Sequence, residues 1–87
     1  MNAAKVAKLL DAEKAIVFGG KLSLFGVPEE LGDEILRLIE LITPANCSGY
    51  AVVNGESLVF SRGEETIIAF IDEDRVMGTL RRLTQNV

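Results

Sequence analysis

The chain contains no histidine and no tryptophan, a single cysteine and two prolines. Without histidine, the commonest general base, proton shuttle and metal ligand near neutral pH is missing. The lone Cys47 rules out an internal disulfide framework and a structural zinc site built from several thiolates. Positive charge is also scarce. Nine Lys and Arg stand against thirteen Asp and Glu, for a net charge of −4, so nucleic-acid binding by phosphate neutralisation lacks the basic face it requires. No apolar run approaches the roughly 20 residues that span a bilayer. The opening Met1-Asn2-Ala3-Ala4-Lys5 lacks the basic-then-apolar order of a signal peptide. These absences predict a cytoplasmic, non-enzymatic protein with no metal, no cofactor and no nucleic-acid partner.

What is present is apolar for so short a chain. Of 87 residues, 48% are hydrophobic and 25% charged, which excludes a disordered tail or an acidic linker. Ordering a chain of this length costs on the order of 130 kcal/mol at about 1.5 kcal/mol per residue. A single small core has little to set against that, so a twin subunit or a partner is a fair expectation.

Hydrophobic periodicity divides residues 1–87, a single domain, into eight elements. Residues 3–14 place Val6, Leu9 and Leu10 on one helical face. Ala15-Ile16-Val17-Phe18, a Gly19-Gly20 turn with both glycines at positive φ, and the alternating Lys21-Leu22-Ser23-Leu24-Phe25 predict a hairpin. Pro28 then suits the first turn of a middle helix that runs to about Ile42, with Thr43-Pro44 ending it. Residues 47–53 and 58–60 flank Asn54-Gly55, the strongest two-residue hairpin signal. Residues 66–71 are almost continuously apolar, as befits a central strand covered on both faces. Asp72, Glu73 and Asp74 open a last helix that carries Val76, Leu80 and Leu83.

The middle helix is too apolar for one face. With Leu31 at zero and about 100° per residue, Ile35, Leu38, Ile39 and Ile42 fall within about 80° of it, whereas Leu36 lies near 140° and Leu41 near 280°. Either neighbouring loops cover the extra surface, or one flank packs on a second subunit. Charge singles out the same segment. Residues 27–44 hold Glu29, Glu30, Asp33, Glu34 and Glu40 against Arg37 alone; the other eight acids balance the other eight bases. This face is either simply solvated, or it meets a basic partner and speeds encounter.

Catalytic chemistry finds no apparatus. Phe18-Gly19-Gly20-Lys21-Leu22-Ser23 has the composition of a phosphate loop, but strand-type alternation continues after the lysine where the Walker pattern opens a helix. Ser48, Ser57, Ser61 and Cys47 have no histidine to activate them. Glu64-Glu65 and Asp72-Glu73-Asp74 lack calcium-loop spacing and suit a turn and a helix start. Cys47 opens an apolar strand, where a small buried hydrophobe is expected.

The element order, the hairpin Ile16-Val17-Phe18-Gly19-Gly20-Lys21-Leu22 and the closing stretch from Thr66-Ile67-Ile68-Ala69-Phe70-Ile71 through Gly78-Thr79-Leu80-Arg81-Arg82-Leu83 resemble the Roadblock / dynein light chain domain. The likeness covers residues 3–84. It implies an α+β fold, α-β-β-α-β-β-β-α, with a five-stranded antiparallel sheet of order 2-1-5-4-3, the middle helix on one face and the terminal helices on the other. It also implies a homodimer, or a heterodimer with a related domain, joined through third strands and middle helices. Leu36, Ile39 and Leu41 on the helix, with Tyr50 and Val52 on the strand, are then the interface candidates. Glu29, Glu30, Asp33, Glu34, Arg37 and Glu40 are the partner-binding candidates, and a small Ras-like GTPase or its complex is the partner class that the resemblance implies for such an adaptor. Profilin and longin domains share the broad architecture. The alternative is therefore a small ligand-sensing or regulatory domain with a pocket between sheet and helix.

Overall fold

Residues 2–86 are described by a computed structural model. The first helix, α1 (Ala3–Leu10), is capped by Asn2, whose Oδ1 accepts the N–H of Lys5 at 2.8 Å. It ends earlier than the apolar pattern suggests, because Asp11 turns left-handed at φ 54° and the N–H of Ala12 closes back on Ala7 at 2.8 Å. That early stop frees Lys14 to enter β1 (Lys14–Phe18), opposite Phe70.

β1 pairs with β2 (Leu22–Phe25) through a three-residue connection rather than a two-residue one, since Phe18 faces Leu22. Only Gly20 is at positive φ (90°), and the N–H of Gly19 donates to the carbonyl of Lys21 at 3.3 Å. α2 (Glu29–Ile42) follows Pro28, which stands as the cap with extended ψ of 148° rather than inside the first turn. β3 (Ser48–Val53) and β4 (Glu56–Arg62) flank the expected Asn54-Gly55 turn, with φ of 53° and 78°. β4 is longer than its apolar run of residues 58–60 because it is laddered on both sides, by β3 and by β5 (Thr66–Phe70). A 3-10 turn at Glu73–Arg75 leads into α3 (Val76–Asn86).

The strands form one antiparallel sheet of order β2-β1-β5-β4-β3. Central β5 alternates between two cores, with Ile67 and Ala69 facing one way and Ile68 the other. On one face α1 and α3 bury Val6, Leu10, Val76 and Leu83 against Val17, Val59, Ile67 and Ala69. On the other, α2 buries Ile35, Leu36 and Ile39 against Ile16, Leu58, Phe60 and Ile68. The α+β architecture is thus a sheet between two helical layers, with the middle helix alone on its side. No described helix is long and apolar enough to cross a membrane.

Candidate functional site

α2 sits on the sheet through Gly32, Ile35, Leu36 and Ile39, all buried. With Leu31 at zero and about 100° per residue, these centre near 90°. The core-facing direction is therefore rotated away from Leu31. Gly32 favours this: a Cβ there would meet the Cδ2 of Leu24 on β2, so a larger residue would require the Leu24 side chain to move. Two interface candidates are corrected as a result. Leu36 is 4% and Ile39 0% exposed; both are committed to the chain's own core and have no surface to offer a partner.

Rotation has the opposite effect on residues that the wheel assigns to the core. Leu31 and Leu38 are each 37% exposed, Ile42 57% and Leu41 83%. They make an apolar flank near 0° and 280°. Its direction follows from its neighbours. Leu31 and Ile35 line a cleft of about 100 Å³ with Val53 and Asn54 of the β3–β4 hairpin, whereas Gly32 faces β2. The flank therefore looks toward the β3 edge of the sheet.

β3 alternates along its length. Ala51 and Val53 pack with the α2 core, and Tyr50 and Val52, 60% and 64% exposed, point to the opposite face. Cys47, half-buried, also packs against the α2 core as a small apolar group. β3 is the last strand of the sheet and pairs with β4 alone among the described residues. Exposed edge strands are usually blunted by charge, proline or brevity. The stretch Cys47-Ser48-Gly49-Tyr50-Ala51-Val52-Val53-Asn54 carries no charge and no proline. The opposite edge, β2, is protected by being only four residues long.

Of the charged candidates, Glu29, Glu30, Glu34 and Glu40 are exposed on α2. Arg37 donates to Asp33 one helical turn away at 2.9 Å, an exposed pair worth about 0.3–0.5 kcal/mol. The sign of this surface is therefore set by the four exposed glutamates.

The end of α2 is held by a residue that sequence reading passes over. Nη1 of Arg62, on β4, donates to the carbonyl of Thr43 at 2.6 Å, to its Oγ1 at 3.3 Å and to the carbonyl of Glu40 at 3.4 Å. Its position in a turn-forming Arg62-Gly63 pair hides this tertiary role.

A larger groove of about 410 Å³ opens at the far rim, between the end of α1 and the adjoining ends of β1, β4 and β5. Its cations are already engaged. Lys14 bridges Glu56 at 2.9 Å and lies 5.5 Å from the Phe70 ring centre, and Arg75 donates to the carbonyls of Leu10 and Asp11 at 3.1 and 3.2 Å. Among the described residues no group of three Cys, Asp or Glu is placed to hold a metal ion.

In an 87-residue alignment the chain is 30% identical to an uncharacterized protein of Archaeoglobus fulgidus, covering 98% of this chain and 95% of that one. The chain belongs to the family of this archaeal protein. No family model matches the chain, and no solved structure matches it.

Proposed function

We propose that the protein is a non-enzymatic, dimeric adaptor. Two copies join β3 to β3 and set their α2 flanks side by side, and the paired acidic helices form a platform for a basic partner surface. The observation that carries this reading is the set of Leu31, Leu38, Leu41 and Ile42 left exposed, with Glu34 the one charge among them, beside an uncharged strand with one open edge among the described residues. With Tyr50 and Val52, these side chains expose on the order of 600 Å², taking about 200 Å² for each one fully exposed, against the ~800 Å² per partner of a standard interface. The Roadblock resemblance points to the same pair of elements, and a small Ras-like GTPase or its complex is the partner class it suggests. A homodimer is the simplest form, and a heterodimer with a related domain uses the same edge.

The ligand-sensing alternative is less well supported. Ligand pockets occupy roughly 300–1,000 Å³ and are mostly apolar. The cleft between α2 and the sheet is about 100 Å³, and the groove of about 410 Å³ beside α1 has the size but a largely charged lining whose Lys14 and Arg75 are paired with Glu56 and Asp11. Light scattering at tens of micromolar tests the adaptor reading. The wild-type chain runs at twice its 9.4 kDa, and Leu41→Glu together with Ile42→Glu runs as a folded monomer, because each puts a charge into the apolar seam. A monomeric wild type, or an unchanged dimer from the double variant, refutes it.

A further inference from the structure

The pairing parity of β3 determines what its open edge offers. The N–H of Arg62 donates to the carbonyl of Cys47 at 2.7 Å, so the backbone of Cys47 points at β4. Backbone groups alternate sides along a strand. Gly49, Ala51 and Val53 therefore also point at β4, in register with Phe60, Leu58 and Glu56. Ser48, Tyr50 and Val52 turn their N–H and C=O groups outward, to the edge where no described strand lies.

We propose that a second copy of this chain docks on that edge with Tyr50 on the two-fold axis, facing Tyr50 of the partner subunit. This rests on the dimeric reading above and adds its register. If both α2 helices are to lie on the same face of a continuous antiparallel sheet, facing residues must share a face, so the axis falls on a residue of β3. An axis at Ser48 or Gly49 sets Val52 opposite position 44 or 46, outside the strand, and one at Val53 sets it opposite position 54 in the turn, which leaves Tyr50, Ala51 and Val52 to compare. With the axis at Tyr50, Ser48 faces Val52 of the partner subunit and every outward group on both copies finds a partner. With the axis at Ala51, Tyr50 faces Val52 of the partner subunit and Ser48 faces Asn54 of the partner subunit, which is bent into the hairpin turn at φ 53°; the outward groups of Ser48 stay unmade. With the axis at Val52, only the Val52 pair is satisfied within the strands. Backbone groups shut off from water without a partner cost as much as a lost hydrogen bond, so the first register is preferred.

Two further observations favour a second copy as the occupant. No charged side chain lies between Cys47 and Gly55 to repel its own image across the axis. The exposed apolar area of the flank and edge, on the order of 600 Å² per copy, approaches what a standard interface buries on each side.

The register predicts specific cross-links. An axis at Tyr50 sets Cys47 opposite position 53 of the other copy, in a non-hydrogen-bonded pair whose Cα atoms approach to about 4.5 Å, within disulfide range of about 4.4–6.8 Å. Within one chain the same positions lie about 20 Å apart along a single strand, so any link joins two copies. Val53→Cys with native Cys47 is expected to give a covalent dimer under mild oxidation, with the 47-to-53 linkage in the peptide map, and Cys47→Ser in addition abolishes it. In case the half-buried position 53 disturbs folding, Tyr50→Cys with Cys47→Ser changes an exposed side chain and links position 50 to itself. Self-linking of Ala51→Cys or Val52→Cys, each with Cys47→Ser, in place of these moves the axis and overturns the register while leaving the dimer. A dimer by light scattering that none of the variants cross-links removes β3 from the interface and overturns the proposal. A monomeric wild type removes the dimeric reading itself.

Discussion

α2 has no basic residue in its last turn, and the cation that its C-terminal carbonyls favour comes from β4 instead. Replacing Arg62 by methionine keeps most of the stem's packing and removes that cation. The short bond from Nη1 to the Thr43 carbonyl, 2.6 Å, is charge-assisted and is worth about 1.5–3 kcal/mol; the favourable end of the helix dipole adds about 0.3–1 kcal/mol. Two effects oppose this. Arg62 is only half-buried, so solvent screens the charge. Its Nε is also buried with no hydrogen-bond partner among the described residues, a cost of about 1–3 kcal/mol that methionine relieves. The net expectation is a loss of about 1–2 kcal/mol, or a fall in Tm of about 4–8 °C for each kcal/mol in a domain of this size. Urea unfolding followed by circular dichroism measures it, at one protein concentration for all variants because the proposed dimerisation would couple to stability. Arg62→Lys keeps the charge but not the planar fork, and falls between the two. Because Leu41 and Ile42 sit on the turn that Arg62 holds, the methionine variant also weakens the dimer. A methionine variant as stable as the wild type would show that the bonds to Thr43 and Glu40 only offset the buried Nε, and that α2 needs no tertiary cap.

Leu36→Ala is expected to cost about 2–5 kcal/mol as a cavity in a well-packed core, while Leu41→Ala, at an 83% exposed position, changes monomer stability by no more than about 0.5 kcal/mol; equal effects in denaturant titrations would undo the assignment of the two leucines. Gly26→Ala and Gly55→Ala each place a side chain at positive φ, at about 1–2 kcal/mol. The Cβ at position 26 would also stand 2.6 Å from the carbonyl oxygen of Glu13, whereas the one at position 55 meets open space, so Gly26→Ala should be the worse of the two in thermal melts.

The order of elements and the strand pairs are largely legible in the sequence, because each rests on a local signal strong enough to survive tertiary context. Asn54-Gly55 permits little but a tight hairpin, and Thr66-Ile67-Ile68-Ala69-Phe70-Ile71 has no polar face to show to water. The phase of α2 was not legible, and the reason is a single residue. A hydrophobic wheel weights Leu31, Leu38 and Ile42 heavily and Gly32 not at all, so it centres the core stripe on the large side chains. In the fold Gly32 is nearer the middle of the contact, where the Leu24 side chain occupies the space a Cβ would take. The stripe therefore turns by about 65°: Leu36 joins the core, and Leu31, Leu38 and Ile42 leave it. Arg62 was hidden for another reason. Its partners, Glu40 and Thr43, are about twenty positions away in sequence, and no local pattern marks a strand residue that caps a distant helix.

The excess apolar arc read from the sequence survives this rotation, and its meaning becomes more definite. α2 now divides into three sectors. The first, about 100° wide, holds the buried Gly32, Ile35, Leu36 and Ile39 and is satisfied by the chain's own sheet. A second, of similar width, holds Leu31, Leu38, Leu41 and Ile42 on the β3 side, with the exposed Glu34 among them at about 300°; Leu31 and Leu38 are partly covered by their own chain, and Leu41 and Ile42 are largely open. Glu29, Glu30, Asp33, Arg37 and Glu40 fill the remaining arc, and Glu34 alone of the charged residues falls on the apolar flank. A helix that served only its own sheet would need one apolar sector and would carry charge on the rest. The second sector lies beside a strand whose outward groups are self-complementary under a two-fold axis, so one neighbour, a second copy, can satisfy helix and strand together. The acidic sector faces neither the sheet nor that neighbour. In the proposed dimer it would remain open and be doubled, so that a third molecule of basic surface could still reach it.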